Sequence, residues 1–282
     1  MSTQVKPPER LWKYREWDDH AIDMVVHGEI HFSTVQQLND PFEFRWHDKF
    51  PTDDAEIDRF VRDLCSKTYG AFEPIEHRKV HYRSLLADVT SRAKMGGGVF
   101  PTSTDIVLGV FSASEINNDL LMWSHYADHH KGVCIGVRPD VIGRLFVRVN
   151  YAEHVPVMDV WEYVKPSSDK FIKLSITKSL RWEYEKEWRT IYRKGPHHTP
   201  GCVDRVVIGA RADDKTRIAV REAVAASKQD IQILEAKLSA REYALVIRPE
   251  TAEIDAKPRN DRPRQANRAR KRRGRNRRQS RL

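Results

Sequence analysis

The chain has 282 residues, of which 40% are hydrophobic and 32% charged, and its formal net charge is +9. This composition is typical of a globular protein, and no apolar run approaches the roughly 20 residues that a membrane-spanning helix requires. The three cysteines, Cys65, Cys134 and Cys202, are far apart and odd in number, which argues against a disulfide framework and against a cysteine-rich zinc site. The N-terminus lacks the apolar segment of a secretion signal, so we expect a cytoplasmic protein without membrane contacts.

The first elements carry clear local signals. LWKYREW at 11–17 alternates apolar and polar residues and predicts a strand. The following segment predicts a helix that begins at an N-cap, Asp18 or Asp19, and stops at Gly28.

A second strand, a loop and two helices are expected next. EIHFS at 29–33 is typical of a short strand, and the Asn-Asp-Pro sequence within 34–44 favours a loop because it does not continue a helix. Helices are predicted at 53–69 and 75–94, and the triple glycine at 96–98 ends this pair.

The second half mixes strands and helices without a regular βαβ repeat, which favours an α+β fold. We therefore predict one mostly antiparallel sheet with flanking helices. The predicted strands lie at 105–112, 133–137, 145–151, 188–194, 204–210, 231–236 and 243–249. The predicted helices lie at about 119–129, 167–182 and 213–227.

Positive charge is concentrated at the C-terminus. Residues 257–282 contain 13 Lys and Arg and one Asp, a charge of +12, which leaves 36 basic and 39 acidic residues, or −3, for residues 1–256. The tail has no aromatic residue, so we predict a single α+β domain at 1–256 followed by a disordered tail. Clustered cations bind phosphates without reading base sequence, which predicts non-specific nucleic-acid contact. The candidate contact residues are Arg268, Arg270, Lys271, Arg272, Arg273, Arg275, Arg277 and Arg278.

The stretch LLMWSHYADHHKGVCIGV at 120–137 concentrates chemically versatile side chains. On a helix, His125 and His129 share a face and have a spacing that can chelate a metal, although Tyr126 stands where a zinc protease has its Glu. The alternatives are a hydrogen-bonded turn and one wall of a ligand pocket. We interpret the stretch as a pocket wall, with His125 catalytic, Trp123 and Tyr126 in contact with ligand, and no metal.

The segment LRWEYEKEWRTIYRK at 180–194 carries alternating carboxylates. On an extended chain Glu183, Glu185 and Glu187 would share one face, and on a helix Glu183 and Glu187 would. Like charges brought together raise the pKa of one of them, which suits a proton donor or acceptor, so Glu185 and Glu187 are candidate catalytic residues. The alternative is a solvated acidic edge balanced by Arg181, Lys186 and Arg189.

The N-terminal segments add candidate ligand-binding residues. Arg15 on the first strand offers a planar guanidinium suited to a phosphate or carboxylate. Ser33, Asn39 and Asp40 lie on loop-like sequence, where ligand-binding groups are common. The alternative is that Asn39 and Asp40 only cap and turn the chain.

These segments occur together in a known family. KYR near the start, FSTVQQLNDPFE, FSAS, LMWSHYADHHKGVCIGV and WEYEKEWR resemble a widespread bacterial family known as domain of unknown function 2971. The resemblance runs from about Leu11 to about Gly209 and implies no established activity.

A more distant resemblance is to ADP-ribosyltransferase-type enzymes, which use an Arg, a Ser and a late Glu in that order. Arg15, Ser33 or Ser112, and the pair Glu185 and Glu187 follow this order. The resemblance implies that Arg15 holds the pyrophosphate of NAD and that Arg15 and Glu187 face one cleft. Two hypotheses result: a nucleotide-handling enzyme, with NAD as one substrate and a role in a toxin or phage defence response, or a non-catalytic nucleic-acid-associated interaction module.

Overall fold

An eight-stranded sheet is the frame of the protein. A computed structural model describes residues 5–49, 53–68, 77, 80, 83–84, 87, 108–159, 161 and 168–250. The strands are β1 (Leu11–Arg15), β2 (Glu29–Phe32), β3 (His47–Lys49), β4 (Leu108–Ser114), β5 (Val133–Val137), β6 (Val147–Arg148), β7 (Asn150–Ala152), β8 (Val157–Asp159), β9 (Thr177–Ser179), β10 (Glu187–Arg193), β11 (Gly195–His198), β12 (Val203–Ile208), β13 (Gln232–Leu238) and β14 (Leu245–Pro249). The α-helices are α1 (Asp19–His27), α2 (Asp54–Thr68), α3 (Leu120–Tyr126), α4 (Pro139–Ile142), α5 (Ser168–Ser175) and α6 (Asp214–Ala226), with 3-10 helices at Val35–Gln37 and Leu180–Glu185.

The strand order in the large sheet is β14-β13-β12-β5-β1-β4-β10-β6. The neighbours pair antiparallel except β12 and β13, which are parallel and are connected through α6. Three two-stranded sheets are formed by β11 with β2, β3 with β8, and β7 with β9. The predicted α+β fold with a mostly antiparallel sheet is confirmed.

The sheet buries both of its faces. Alternation along β1 sends Leu11 into a cluster with residues of α1 and α6, whereas Trp12 and Tyr14 join a cluster with Met122 and Trp123 of α3. Side chains of successive strand residues point to opposite faces, so β1 contributes to both clusters. β1 therefore lies at the centre of the sheet, between β5 and β4.

Local capping signals set the ends of α1 as predicted. The Asp18 side chain accepts a hydrogen bond from the Ala21 amide at 2.8 Å and is the N-cap. Gly28 ends the helix with φ +66, and a Cβ there would lie 2.8 Å from the Thr199 carbonyl oxygen. This position requires glycine for both its conformation and its close approach to the next chain segment.

Two predicted elements were wrong. The strand expected at 145–151 is divided into β6 and β7, which belong to different sheets. The helix expected at 167–182 ends at Ser175, after which the chain forms β9 and a 3-10 helix. The helix predicted at 119–129 is also shorter, because Asp128, His129 and His130 all have positive φ.

Several predictions fall wholly or partly outside the described residues. Of the helix predicted at 75–94, only scattered positions are described, and the triple glycine at 96–98 and the tail at 257–282 are outside. The described chain ends at Glu250. Among the described residues, no helix is long and apolar enough to cross a membrane.

Candidate functional site

A cavity of about 360 Å³ lies next to the junction of β1 and β4. Its volume falls within the range of about 300–1,000 Å³ that is usual for small-molecule sites. Residues from β1, β4, β9, β10, α3, the second 3-10 helix and the segment that follows β2 contribute to its wall. The polar and charged side chains on the wall include Lys13, Arg15, Ser33, Asn39, Glu43, Tyr126, Lys178, Glu185 and Glu187.

The cavity opens where two neighbouring strands separate. β1 pairs with β4 at Trp12 and Ser114. Further along β4, Val110 exchanges backbone hydrogen bonds of 3.0 and 2.8 Å with Ser33 instead. Between these two points the edge of β4 faces the cavity, and the Lys13 amine donates a 2.9 Å hydrogen bond to the Ser112 carbonyl.

A buried charge cluster forms one side of the cavity. It consists of Glu43, Lys178, Glu185, Glu187 and Arg189, whose side chains are 0–6% exposed. Lys178 Nζ lies 3.2, 2.6 and 3.3 Å from carboxylate oxygens of Glu43, Glu185 and Glu187. Arg189 donates two hydrogen bonds of 2.7 and 3.0 Å to Glu187 and pairs with Glu43. Buried ions require such mutual pairing to offset desolvation.

Local backbone geometry brings the two late carboxylates together. Glu185 ends the second 3-10 helix, and Glu187 begins β10. Lys186 between them is left-handed, with φ +44, and redirects the chain. The Glu187 amide donates to the Tyr151 hydroxyl at 2.8 Å, which fixes the start of the strand.

The pKa values of the two carboxyl groups are shifted in opposite directions. Burial and the charge of Glu187 raise the pKa of Glu185 to about 7, against the attraction of Lys178. Burial also acts on Glu187, but Arg189 and Lys178 outweigh it and hold the pKa of Glu187 well below its usual range. Glu185 therefore exchanges a proton near neutral pH, whereas Glu187 stays ionised.

Tyr126 connects Glu185 to the loop after β2. Its hydroxyl donates a 2.6 Å hydrogen bond to Glu185 Oε1 and accepts one of 2.7 Å from the Asn39 side-chain amide. Burial and the negative charge of Glu185 raise the pKa of Tyr126 far above its usual range, so the hydroxyl keeps its proton. Asn39, Tyr126 and Glu185 thus form one hydrogen-bonded chain along the cavity wall.

Two cations of β1, Lys13 and Arg15, also line the cavity. Arg15 makes hydrogen bonds of 3.2 and 2.6 Å to the two carboxylate oxygens of Asp18, the N-cap of α1. Burial and the nearby charge of Arg15 lower the pKa of Lys13 to about 8. Because Lys13 and Arg15 are two residues apart on one strand, their side chains leave the sheet on the same face.

Six of the nine predicted body residues line this one cavity: Arg15, Ser33, Asn39, Tyr126, Glu185 and Glu187. The first and the last of them, Arg15 and Glu187, are more than 170 residues apart in the chain. Their chemical roles stay predictions, but the structure brings them together.

The other three predicted residues are not among those lining the cavity. Trp123 is fully buried, donates from Nε1 to the Asn117 carbonyl at 2.8 Å and packs edge-on against Tyr14. His125 bonds the Tyr184 hydroxyl at 3.0 Å on an exposed surface. Asp40 caps a turn by accepting from the Phe42 amide at 2.9 Å.

The predicted grouping of the acidic segment was partly wrong. Glu183 is exposed on the 3-10 helix, so the three carboxylates do not share one face. Arg189 is 1% exposed and does not balance a solvated edge, whereas Arg181 and Lys186 are exposed. The sequence reasoning missed Lys13, Glu43, Lys178 and Arg189. The available signal was a charged residue, Arg189, within a predicted strand that also carries Trp188 and Ile191.

The turn after α3 has a strained backbone and packs closely against β1. Three successive non-glycine residues, Asp128, His129 and His130, have φ of 44, 53 and 72. His130 Nε2 lies 3.0 Å from the Ser124 hydroxyl. Gly132 passes so close to β1 that a Cβ would lie 2.2 Å from the Arg15 carbonyl oxygen. Among the described residues, no group of three His, Cys, Asp or Glu is arranged to hold a metal ion.

The fold and site define an α+β protein with a charged cavity beside its central strands. Residues 122–190 match the model of a family described as protein of unknown function (DUF2971), which confirms the predicted family through this segment. The matched segment is shorter than the predicted 11–209 and contains Tyr126, Lys178, Glu185 and Glu187. No curated protein and no solved structure matches the chain. The resemblance to ADP-ribosyltransferases is not shown by these comparisons.

Proposed function

We propose that the protein is an enzyme that acts on a nucleotide, with the cavity as its active site and Glu185 as the acid–base group. The observation that carries the proposal is the state of Glu185. It lines the cavity, has a pKa of about 7, and is held by hydrogen bonds from Tyr126 and Lys178. A group that exchanges protons near the working pH is the most effective general acid or base.

The remaining wall residues divide into supporting roles. Glu187 stays ionised and acts through Lys178 and Glu185, because its charge helps to raise the pKa of Glu185. Ser33 and Asn39 offer neutral hydrogen-bonding groups to a substrate. Arg15 also lines the cavity; its Nε and Nη2 groups bind Asp18, so a phosphate would bind its remaining N–H donors.

NAD is one substrate that this proposal includes. The ADP-ribosyltransferase version requires Arg15 and Glu187 in one cleft, and both line the cavity. Glu187, however, is already paired with Arg189 and Lys178. Glu185 is therefore the better candidate to abstract or donate a proton in any reaction at this site.

The test is turnover of a nucleotide panel by the full chain. NAD, ATP, ADP, GTP and a short RNA are incubated with the protein at pH 7, and the products are identified by mass spectrometry. We expect turnover of at least one compound and a loss of about 100-fold or more in Glu185→Gln, the usual contribution of general acid–base catalysis. Glu183→Gln, an exposed neighbour, is the matched control. Equal rates in the wild type and in Glu185→Gln would overturn the proposal.

A second function is proposed for the C-terminal tail. Its charge of +12 against −3 for residues 1–256 favours non-specific binding of nucleic acid through the tail. In the alternative reading, this binding is the whole function and the body is a non-catalytic interaction module. Absence of turnover together with tail-dependent nucleic-acid binding would favour that alternative.

A further inference from the structure

Among the described residues that line the cavity, one cation, Lys13, lacks an acidic partner. Arg15 is paired with Asp18, and Lys178 is paired with three carboxylates. For Lys13, no carboxylate of the described residues lies within ion-pair distance. Its amine donates to the Ser112 carbonyl at 2.9 Å and lies 5.2 Å from the centre of the Phe111 ring.

We propose that Lys13 anchors a phosphate group of the substrate and takes up a proton when that phosphate binds. This inference rests on the proposed function for the class of substrate. It adds the atom that recognises the substrate and the proton that accompanies binding.

The donor count of Lys13 supports a ligand with acceptor oxygens. An ammonium group has three N–H donors, and the Ser112 carbonyl is the one acceptor found for Lys13 among the described residues. Lys13 lines the cavity, and we infer that the other donors of its amine are available to a ligand there. Arg15 lies two residues further along β1 and lines the same cavity. A phosphate offers the Lys13 ammonium several negatively charged oxygens, which a neutral carbonyl compound does not.

The charges around Lys13 explain the proton uptake. Burial, Arg15 on its own strand and Lys178 on β9 lower its pKa, whereas Glu187 on β10 and Glu185 on the 3-10 helix raise it, and the balance is a pKa of about 8. About half of the Lys13 amines are therefore neutral at pH 8. A bound phosphate places negative charge beside the amine and raises its pKa. The amines that were neutral then take up a proton.

The charge of the neighbouring cluster makes this uptake more favourable. With all its members ionised, the buried charge cluster has three negative and two positive charges. An anion entering beside a neutral Lys13 would meet excess negative charge. Protonation of Lys13 removes that excess, so binding and proton uptake are linked.

The experiment is isothermal titration calorimetry of the full chain at pH 8 in two buffers of different ionisation enthalpy. The probes are inorganic pyrophosphate, ADP and adenosine. We expect the two phosphate compounds to bind with uptake of about half a proton, as a pKa near 8 requires. Adenosine, which lacks phosphate, should bind without this uptake.

Three variants assign the proton to Lys13. Lys13→Arg keeps a positive charge that does not titrate, so it should bind pyrophosphate with about half a proton less uptake than the wild type. Lys13→Met should weaken pyrophosphate binding by about tenfold or more, the loss of one charge-assisted contact. Lys6→Met, which removes an exposed amine, should behave as the wild type.

Two results would overturn the inference: unchanged pyrophosphate affinity in Lys13→Met, or unchanged proton uptake in Lys13→Arg. The proposed function fails separately. If Glu185→Gln binds and turns over nucleotides as the wild type does while the Lys13 effects hold, only the acid–base proposal falls. If turnover depends on Glu185 but phosphate binding does not depend on Lys13, only the proposal for Lys13 is wrong.

Discussion

Glu185 and Glu187 are two residues apart, contact the same Lys178 amine, and have pKa values shifted in opposite directions. The difference comes from Arg189, which holds Glu187 with two hydrogen bonds and makes no ion pair with Glu185 among the described residues. Glu185 receives its other hydrogen bond from neutral Tyr126. One permanently ionised carboxylate and one that titrates near neutrality is a common division between acid–base partners.

Tyr126→Phe should raise the pKa of Glu185 above its wild-type value of about 7. The Tyr126 hydroxyl donates to the carboxylate and favours its charged form, so removing that donor favours the protonated form. The measurement is a ¹³C NMR titration of the Glu side-chain carboxyl groups. If Glu185 acts as a base, the rise of activity with pH moves to higher pH by the same amount.

Tyr184→Phe is the matched control for this titration, because the Tyr184 hydroxyl bonds His125 and not Glu185. It should leave the titration of Glu185 close to that of the wild type. A Glu185 pKa that is unchanged or lower in Tyr126→Phe would contradict the hydrogen-bond explanation.

Arg189→Met should destabilise the fold by about 3–5 kcal/mol at pH 7.5, because it leaves buried carboxylates without a partner. Arg193→Met, an exposed arginine of the same strand, should change stability by less than about 0.5 kcal/mol. Urea unfolding followed by circular dichroism measures both. Similar losses in the two variants would refute the importance of the buried pairing.

The cost of Arg189→Met should also depend on pH. The pKa of Glu187 is depressed in the folded protein, so its contribution to stability is present above the unfolded value near 4.5 and is lost as pH falls. The variant lacks this contribution at every pH. The difference in free energy of unfolding between wild type and variant should therefore become smaller below about pH 4.5. A difference that does not change with pH would show that the loss of side-chain packing dominates.

The parts of the fold that were predicted correctly rest on local signals. Asp18 and Gly28 fix the ends of α1 through a side-chain cap and a left-handed glycine, and both act within one helical turn. The failed helix at 167–182 shows the opposite case. Its apolar spacing suits a helix beyond Ser175, but Thr177–Ser179 pairs with Asn150–Ala152 instead. That pairing, and the contacts of Lys178, depend on residues distant in sequence.

Several residues of the site could be predicted from the sequence, but their interactions could not. Arg15, Asn39 and Glu185 were recognisable as polar residues on strand or loop sequence. The ion pair of Glu43 and Arg189 could not be predicted, because it forms only when the fold brings together two residues nearly 150 positions apart. A charged residue inside an apolar strand signals a buried partner, but it does not name that partner.

His129→Gly should stabilise the protein by about 1 kcal/mol, since the exposed His129 has a left-handed backbone that disfavours a side chain. Gly132→Ala should destabilise it by about 3 kcal/mol or more, because its Cβ would collide with the Arg15 carbonyl. Thermal unfolding measures both changes. Gly143→Ala is the control, because Gly143 has φ +65 but an added Cβ would lie 3.8 Å from the Val141 carbonyl oxygen, an ordinary contact; it should cost about 1 kcal/mol.

These glycine variants decide what the stretch after α3 does. A stabilised His129→Gly with unchanged ligand binding would assign the strained turn to folding alone. A stabilised variant that loses pyrophosphate binding would instead indicate that the strain positions Arg15 through Gly132. A destabilised His129→Gly would contradict the strain argument.

Removal of residues 257–282 should abolish salt-sensitive binding to nucleic acid. The tail has a charge of +12, and the remaining chain has a formal charge of −3. Each neutralised phosphate contributes about −0.9 to the slope of log K against log salt for duplex DNA, so a tail contacting several phosphates gives a steep dependence. Fluorescence anisotropy with random-sequence DNA and RNA between about 50 and 200 mM salt measures the slope. A variant of unchanged length with Gln at Arg268, Arg270, Lys271, Arg272, Arg273, Arg275, Arg277 and Arg278 should lose most of it. If the truncated protein keeps the slope, the contact surface lies on the folded body, and the cations of β1 become the next residues to test.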